Sequence, residues 1–356
     1  MSRPPLTTDW SFRRRKFGRR AFLVSSAAAV CFAGRPRVAR ATGGLDIGDD
    51  SAALHQMRVL LATGSFAPPQ QLDAWHFSWS GRTYRGTAVS LGLPDGRGAL
   101  VNTLPLDAYL YGVLSMEVGA SWAAAAQQAQ AIVARTYALR KLRPDKPYDV
   151  TPGDADQNYG GIVSETVEGR AAVDATAGVI VTYGGSPAHV AYSACCGGRT
   201  ADAGDVWGTP YPYLISIIDP NCIGTPNFDW HSDVPVGVLD RALGADLTSV
   251  GALRAVALQV DAPNNRPHAI DFTGAKTNFQ TPVAHFRAAV GPGVVRSTFV
   301  HSASLDRDGT TLALTGTGHG HGVGLCQWGA RMLGEGGANA AQIVAFYFPG
   351  TSFGRG

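Results

Sequence analysis

Apolar positions recur at every second residue in the first part of the chain and at helical spacing after it. "MRVLLA" (57–62), "AWHFSW" (74–79) and "RTYRGTAVSLGL" (82–93) read as strands, the last with clear period-two alternation. "GLPDGRG" (92–98) is a turn by its Pro, Asp and Gly content, and "ALVNTL" (99–104) resumes as a strand. "PLDAYLYGVL" then opens with Pro105 and places Leu106, Tyr109, Leu110 and Val113 on one helical stripe. A long helix follows from about Trp122 to Lys141, with Ser121 as its N-cap. Before Thr136 its only polar side chains are Gln127, Gln128, Gln130 and Arg135. A helix that is apolar all round is buried, and alanine lets its neighbours approach closely. This is therefore the expected central helix, with Glu117 presented at its N-terminal end. "VEGRAAVDATAG" reads as a helix stopped by Gly178, and "VIVTY", "GGSP" and "AHVAYSAC" as strand, turn and strand. Strands ("LRAVALQVDA", "HAIDFTG") mix with short helices ("VGVLDRAL", "VAHFRAAV") further on, and "LDRDGTTLAL" reads as a hairpin. Two helices, "CQWGARML" and "AAQIVAFYF", come last. The expected fold is mixed α/β (α+β): a single compact domain whose buried Ala-rich helix packs against antiparallel-rich sheets.

Composition narrows the class. The chain has 356 residues, 45% hydrophobic and 16% charged, which is a globular composition. The net charge of +3 comes largely from the first forty residues, so there is no nucleic-acid signature. "RRRKFGRRAFLVSSAAAVCFAGRPRVARA" (13–41) has a basic start, a short apolar run and an A-x-A ending, the pattern of a cleaved secretory signal. Arg19-Arg20 before "AFL" points to the twin-arginine type; the alternative is an ordinary signal with two adjacent arginines. The apolar run is shorter than the roughly 20 residues of a membrane span. Val30 before Cys31 argues against a lipid anchor. The expectation is a signal over 1–41, a tether over 42–56 and a domain over 57–356. The mature chain would be exported to the periplasm or cell wall, with no transmembrane segment. There Cys195, Cys196, Cys222 and Cys326 meet a compartment that permits disulfides. Neighbouring cysteines rarely bridge each other. Cys196 with Cys222 is the preferred pair, with Cys195 as competitor.

Four stretches carry candidate chemistry. Glu117, between Met116 and Val118 and near Trp122, is either a general acid or a helix-capping carboxylate facing water. Partial burial would raise its pKa and a helix N-terminus would lower it. In "TGTGHGHGVGLCQWGA", His319 and His321 lack the i, i+4 spacing of two ligands on one helix face. A tight backbone passage where only glycine fits is the plainer reading. "HVAYSACCGGRTAD" has no CxxC spacing and suits a disulfide better than zinc; a zinc site would use His189, Cys195, Cys196 and Cys222. "DADQNYGG" has Asp154, Asp156, Gln157 and Tyr159, residue types that suit sugar recognition and an ordinary loop alike.

The order of these motifs is more specific than any one of them. "PLDAYLYGVLSMEV", "SW", "AQAIVARTYA", "QNYGG", "CCGGRT", "VWG", "DPNC" and "GHGHGVGLCQWGA", in this sequence, closely resemble the SpoIID family of sporulation protein and amidase enhancers, from Leu100 to Thr351. The resemblance implies a lytic transglycosylase that cleaves the MurNAc–GlcNAc bond of peptidoglycan strands stripped of stem peptides. Glu117 matches the family's catalytic Glu. It would protonate the glycosidic oxygen and then take the proton from the MurNAc C6 hydroxyl, leaving a 1,6-anhydro end, so one carboxylate suffices where ordinary glycosidases need two. Gln157, Tyr159, His321 and Gln327 are the expected glycan-facing residues, with Trp122, Arg135 and Tyr137 supporting the acid. The "CCGG…DPNC" arrangement resembles a family subset with two cysteines in these places, which supports the Cys196–Cys222 bridge. Some SpoIID-like enzymes bind zinc near this strand, but the family's "YHS" is here Tyr192-Ser193-Ala194, without the histidine, and no cofactor is expected. Cys326 and Trp328 stand where Ser and Tyr are usual. The competing reading is a non-catalytic, glycan-binding enhancer of a cell-wall amidase. The expected partners are glycan strands and that amidase, not nucleic acid.

Overall fold

A computed structural model describes residues 55–153, 155–260 and 265–356; the expected signal segment and all but the last two residues of the expected tether lie outside them. In chain order, strands β1 (Gln56–Thr63), β2 (Gln70–Gln71), β3 (His76–Trp79), β4 (Arg82–Arg85), β5 (Thr87–Gly92) and β6 (Gly98–Pro105) lead into α1 (Leu106–Glu117) and α2 (Ala124–Lys141). Helix α3 (Val167–Asp174), strands β7 (Val179–Tyr183), β8 (Ser186–Pro187) and β9 (Tyr192–Ser193), and helix α4 (Ala203–Trp207) follow. Next come β10 (Asp229–Pro235), α5 (Val236–Thr248), β11 (Leu253–Val260), β12 (Pro267–Gly274), β13 (Asn278–Pro282), α6 (Val283–Val290), β14 (Val300–Leu305) and β15 (Thr311–Thr317). The chain finishes with β16 (Leu325–Cys326), α7 (Gln327–Glu335), α8 (Ala340–Tyr347) and β17 (Ser352–Arg355). This is the expected mixed α/β fold. Its strand pairs are antiparallel except β9 with β16, which run parallel. Among the described residues no helix is long and apolar enough to cross a membrane.

Helix α2 is central because it serves two cores at once. Ala129, Ile132 and Val133 face a cluster built from β7, β16, α7 and α8. Ala131, Ala134 and Ala138 face a second cluster with α1, β1, β6 and Tyr159. Small side chains on both faces allow both approaches. The Arg135 guanidinium is 2% exposed and is consumed structurally. It donates to Asp107 Oδ1 (2.8 Å), Val173 O (3.0 Å) and Val179 O (3.2 Å), tying α2 to α1, to the end of α3 and to β7. The helix starts two residues later than the pattern predicts. Its N-cap is Ala123, which makes no side-chain cap, and Ser121 is exposed outside it. Gln127 Nε2 donates to Ala120 O and Trp122 O, each at 3.0 Å, and so holds the loop that leads in.

Residues 229–317 surround a third core of their own, with Trp230, Leu239, Phe272, Phe286 and Leu314 among its buried members. The sheet β10–β15–β14 and the sheet β11–β12–β13 flank it with α5 and α6. "AHVAYSAC" does not form the long strand its pattern suggests: Tyr192 and Ser193 pair with Leu325 and Cys326, and Cys195 forms an isolated bridge with His319.

Candidate functional site

Glu117 is the last residue of α1, not the first of α2. It therefore sits at the helix end whose partial charge is negative, and the N-terminal pull expected from the sequence does not come from the helix that carries it. The side chain is half-buried. Two neutral donors hold its carboxylate: the Asn158 backbone N–H reaches Oε1 (3.3 Å) and Gln327 Nε2 reaches Oε2 (3.2 Å). Three distant stretches, "SMEV", "QNYGG" and "LCQWGA", thus converge on one acid.

Each donor is itself fixed. The loop at 157–161 lies on α1, where Gly160 N–H donates to Gly112 O (3.1 Å). Gly112 has no room for a side chain, since a Cβ there would stand 2.6 Å from the Tyr159 ring. Tyr159 is 6% exposed, packs on Tyr109 and Tyr84, and accepts a bond from Asn102 Nδ2 (2.9 Å). Gln157, 1% exposed, donates to Tyr192 Oη (3.0 Å) and accepts from Tyr109 Oη (3.3 Å). Burial of both corrects the expectation that Gln157 and Tyr159 face the glycan: they lock the loop so that the Asn158 amide between them points at the acid. Burial, then the charge of Glu117, pushes the Tyr192 phenol well above its ordinary value, so it stays a neutral partner. On the other side Gln327 opens α7 directly after Cys326, which caps that helix.

Trp122 and Trp328 meet at 5.3 Å beside the acid, and the Arg331 guanidinium lies over both rings, at 5.6 and 5.0 Å. Both indoles are partly exposed, so this is an open aromatic face next to Glu117. Arg135 acts at the opposite end of α1, on Asp107, and Tyr137 packs edge-on against Tyr192. Asp156 is held by Thr151 and by Lys141 (2.8 Å); Asp154 lies outside the described residues.

The glycine–histidine run is the tight passage its spacing suggests. Gly318 and Gly320 have φ of +91° and +109°, and a Cβ on either would strike Cys195 O or Ser193 Cβ. His321 is pinned between them and the core: its Nδ1 accepts from Val323 N–H (3.0 Å), and its ring meets Trp207. Burial, reinforced by Arg287, pushes its imidazole down to about 4, so it is neutral near pH 7.

The cysteines differ most from expectation. All four are buried free thiols, and Cys196 Sγ and Cys222 Sγ are 3.5 Å apart, far beyond the roughly 2.05 Å of a disulfide. The expected Cys196–Cys222 bridge is not formed in this structure, and the Cys326 sulfur lies in the same cluster. The Cys222 thiol is met by those of Cys195, Cys196 and Cys326, which together pull it far below its ordinary value. His189 takes no part: its ring nitrogen faces Arg140 and its backbone N–H bonds Tyr213 Oη. The histidine-containing set is thus replaced by Cys326 and by Asp219, whose carboxylate lies at Cys196 Sγ (3.3 Å).

Sequence reasoning passed over Asn158, Tyr109, Tyr192 and Asp219 as site residues. Asn158 contributes a main-chain group, invisible to residue type, although it stands between the two loop residues singled out.

The model of the SpoIID family, described as Stage II sporulation protein, matches residues 95–183, which hold α1, Glu117, α2 and the 157–161 loop. Over those residues the chain is similar to the SpoIID family. Its relatives extend the likeness beyond that segment. The amidase enhancer of Bacillus subtilis is 28% identical over 292 residues, 68% of this chain but only 40% of that protein. Stage II sporulation protein D of the same organism is 25% identical over 290 residues, 76% of this chain and 80% of the relative. An uncharacterized protein of Brachyspira hyodysenteriae is 28% identical over 277 residues, 77% and 73% of the two chains.

Proposed function

We propose that this chain is an exported lytic transglycosylase that cleaves MurNAc–GlcNAc bonds in peptide-stripped peptidoglycan, with Glu117 as its single acid and base. The observation that carries the reading is the way Glu117 is held. A backbone amide and a carboxamide fix both oxygens. Both of these donors are neutral groups that orient the carboxyl. A carboxyl oriented in this way would give a proton to the glycosidic oxygen and then accept one from the C6 hydroxyl of the same sugar, the exchange of roles that this reaction demands. The partly exposed Trp122 and Trp328 rings, tilted 48° to each other, would supply aromatic surface for a pyranose ring. Export rests on the leader pattern at 13–41.

The test is product analysis by mass spectrometry after incubation with amidase-stripped and with intact peptidoglycan. The native chain is expected to leave 1,6-anhydro ends, mainly on stripped strands. Glu117→Gln, which keeps size and shape, is expected to lower their yield by about 10² or more. Equal yields from the two proteins would sink the assignment. A second reading is favoured by the amidase enhancer among the relatives: the chain would bind glycan and stimulate a cell-wall amidase. It predicts no anhydro ends from either protein and glycan affinity that survives Glu117→Gln.

A further inference from the structure

We propose that Arg331 reads the free lactyl carboxylate of MurNAc and so makes peptide-stripped strands the preferred ligand of the Glu117 site. The proposal rests on the reading of that site as a glycan site and adds the group by which it selects its strand. Helix α7 carries the two residues that matter. Gln327, its first residue, donates to Glu117 Oε2 (3.2 Å). Arg331 stands four residues on, about 6 Å along the axis and on the same helical face. The cation therefore lies one helical turn from the donor that touches the acid. The aromatic pair beneath it is tied to the acid from both sides. Trp328 follows Gln327 directly, and Trp122 is pressed on Gly119, where a Cβ would stand 2.8 Å from the indole Nε1.

The guanidinium is held without being used up. It lies over the Trp122 ring at 5.6 Å and over the Trp328 ring at 5.0 Å. Its Nε donates to Glu335 Oε1 (2.7 Å), an i, i+4 pair within α7. Among the described residues no protein acceptor meets its two terminal nitrogens, so their N–H groups remain for a ligand. The side chain is 29% exposed and can be reached from solvent. Indole faces displace water from a guanidinium that is weakly hydrated to begin with, which lowers the cost of pairing it with an anion.

The chemistry of the strand supplies that anion. MurNAc differs from GlcNAc by a lactyl ether on C3. While the stem peptide is attached, the lactyl carboxyl is an amide and carries no charge. Once the peptide has been removed, it is a carboxylate. A guanidinium can pair with a carboxylate through two parallel charge-assisted N–H···O bonds, and a neutral amide offers no such partner. The lactyl arm stands on the sugar whose glycosidic oxygen Glu117 would protonate, one ring width away. Selection would thus follow from a charge that peptide removal creates, in addition to any effect of peptide bulk.

The experiment uses the full chain and two forms of one stripped glycan. One form keeps its free lactyl carboxylates. In the other each is converted to its methylamide, which removes the charge and adds little bulk. Anhydro-end formation gives kcat/KM, and affinity is measured in the Glu117→Gln background, so that nothing is cleaved. The carboxylate form is expected to be favoured at least about tenfold in both measurements. Arg331→Gln is expected to bring this ratio within about twofold of one, and Arg331→Lys to hold it between the two. A ratio is independent of the fraction of chain that folds. A wild-type chain that treats the two forms alike would overturn the proposal. An unchanged ratio in Arg331→Gln, with both forms used equally less well, would overturn it too, because Arg331 would then only pack the indoles. If no chain yields anhydro ends, the transglycosylase reading fails and the ratio of affinities decides this one. Binding of neither form by any chain would overturn both.

Discussion

His321 shows how one side chain is set by its surroundings rather than by its type. Its imidazole titrates near 6.5 in an unfolded chain and about 4 in the folded protein. Between those values the unfolded state binds more protons, so stability rises with pH. The contribution is fully present above about 6.5 and is lost as pH falls toward 4, with an upper bound of about 3 kcal/mol. Chemical denaturation of wild type and His321→Asn at pH 7 and pH 4.5 measures it; the stability difference between the two pH values is expected to be smaller in the variant. Arg135 belongs to this scale too. Arg135→Ala removes one donor each from Val173 O and Val179 O and the partner of Asp107, so a loss of about 3 kcal/mol is expected from urea midpoints. Glu117 and Gln327 were legible as site residues because they lie in ordered motifs. Gln157 and Tyr159 were legible as residues near the acid but not in their role, because the sequence does not tell which side of a loop faces the core.

Among elements, existence and type were readable where the period was long. Helices α1 and α2 and strands β1 and β6 follow from their apolar spacing. Boundaries and caps were not: α2 ignores Ser121 because a glutamine one turn inside the helix secures its entry loop. "AHVAYSAC" alternates like a strand, yet it pairs only in pieces, Tyr192 and Ser193 with β16 and Cys195 with His319 of the glycine–histidine run. The cysteine cluster was unreadable for a different reason, since it depends on residues 196, 222 and 326 meeting in space. The contact between α1 and the 157–161 loop is testable as a unit. Gly112→Ala would put a Cβ against the Tyr159 ring and push the loop, with its Asn158 amide, away from Glu117. Anhydro-end formation is expected to fall at least about tenfold, while unfolding costs about 1–3 kcal/mol less than in wild type.

For the whole molecule, three cores imply that stability is not shared evenly. Leu239→Ala, in the third core, is expected to speed amide exchange through 229–317 while the amides of α1 and α2 keep most of their protection; hydrogen exchange with mass spectrometry reads both regions at once. That third region also enters and leaves the chain at one point. Asp229 and Thr317 are direct partners at the end of the β10–β15 ladder, and antiparallel partners stand only about 5 Å apart. The 87 residues between them are therefore strung on the chain like a bead on a closed loop. A short turn joining the two ends would span the same gap, and what such an exchange would remove from the rest of the chain includes the Arg266 bonds to Cys196 O and Arg199 O.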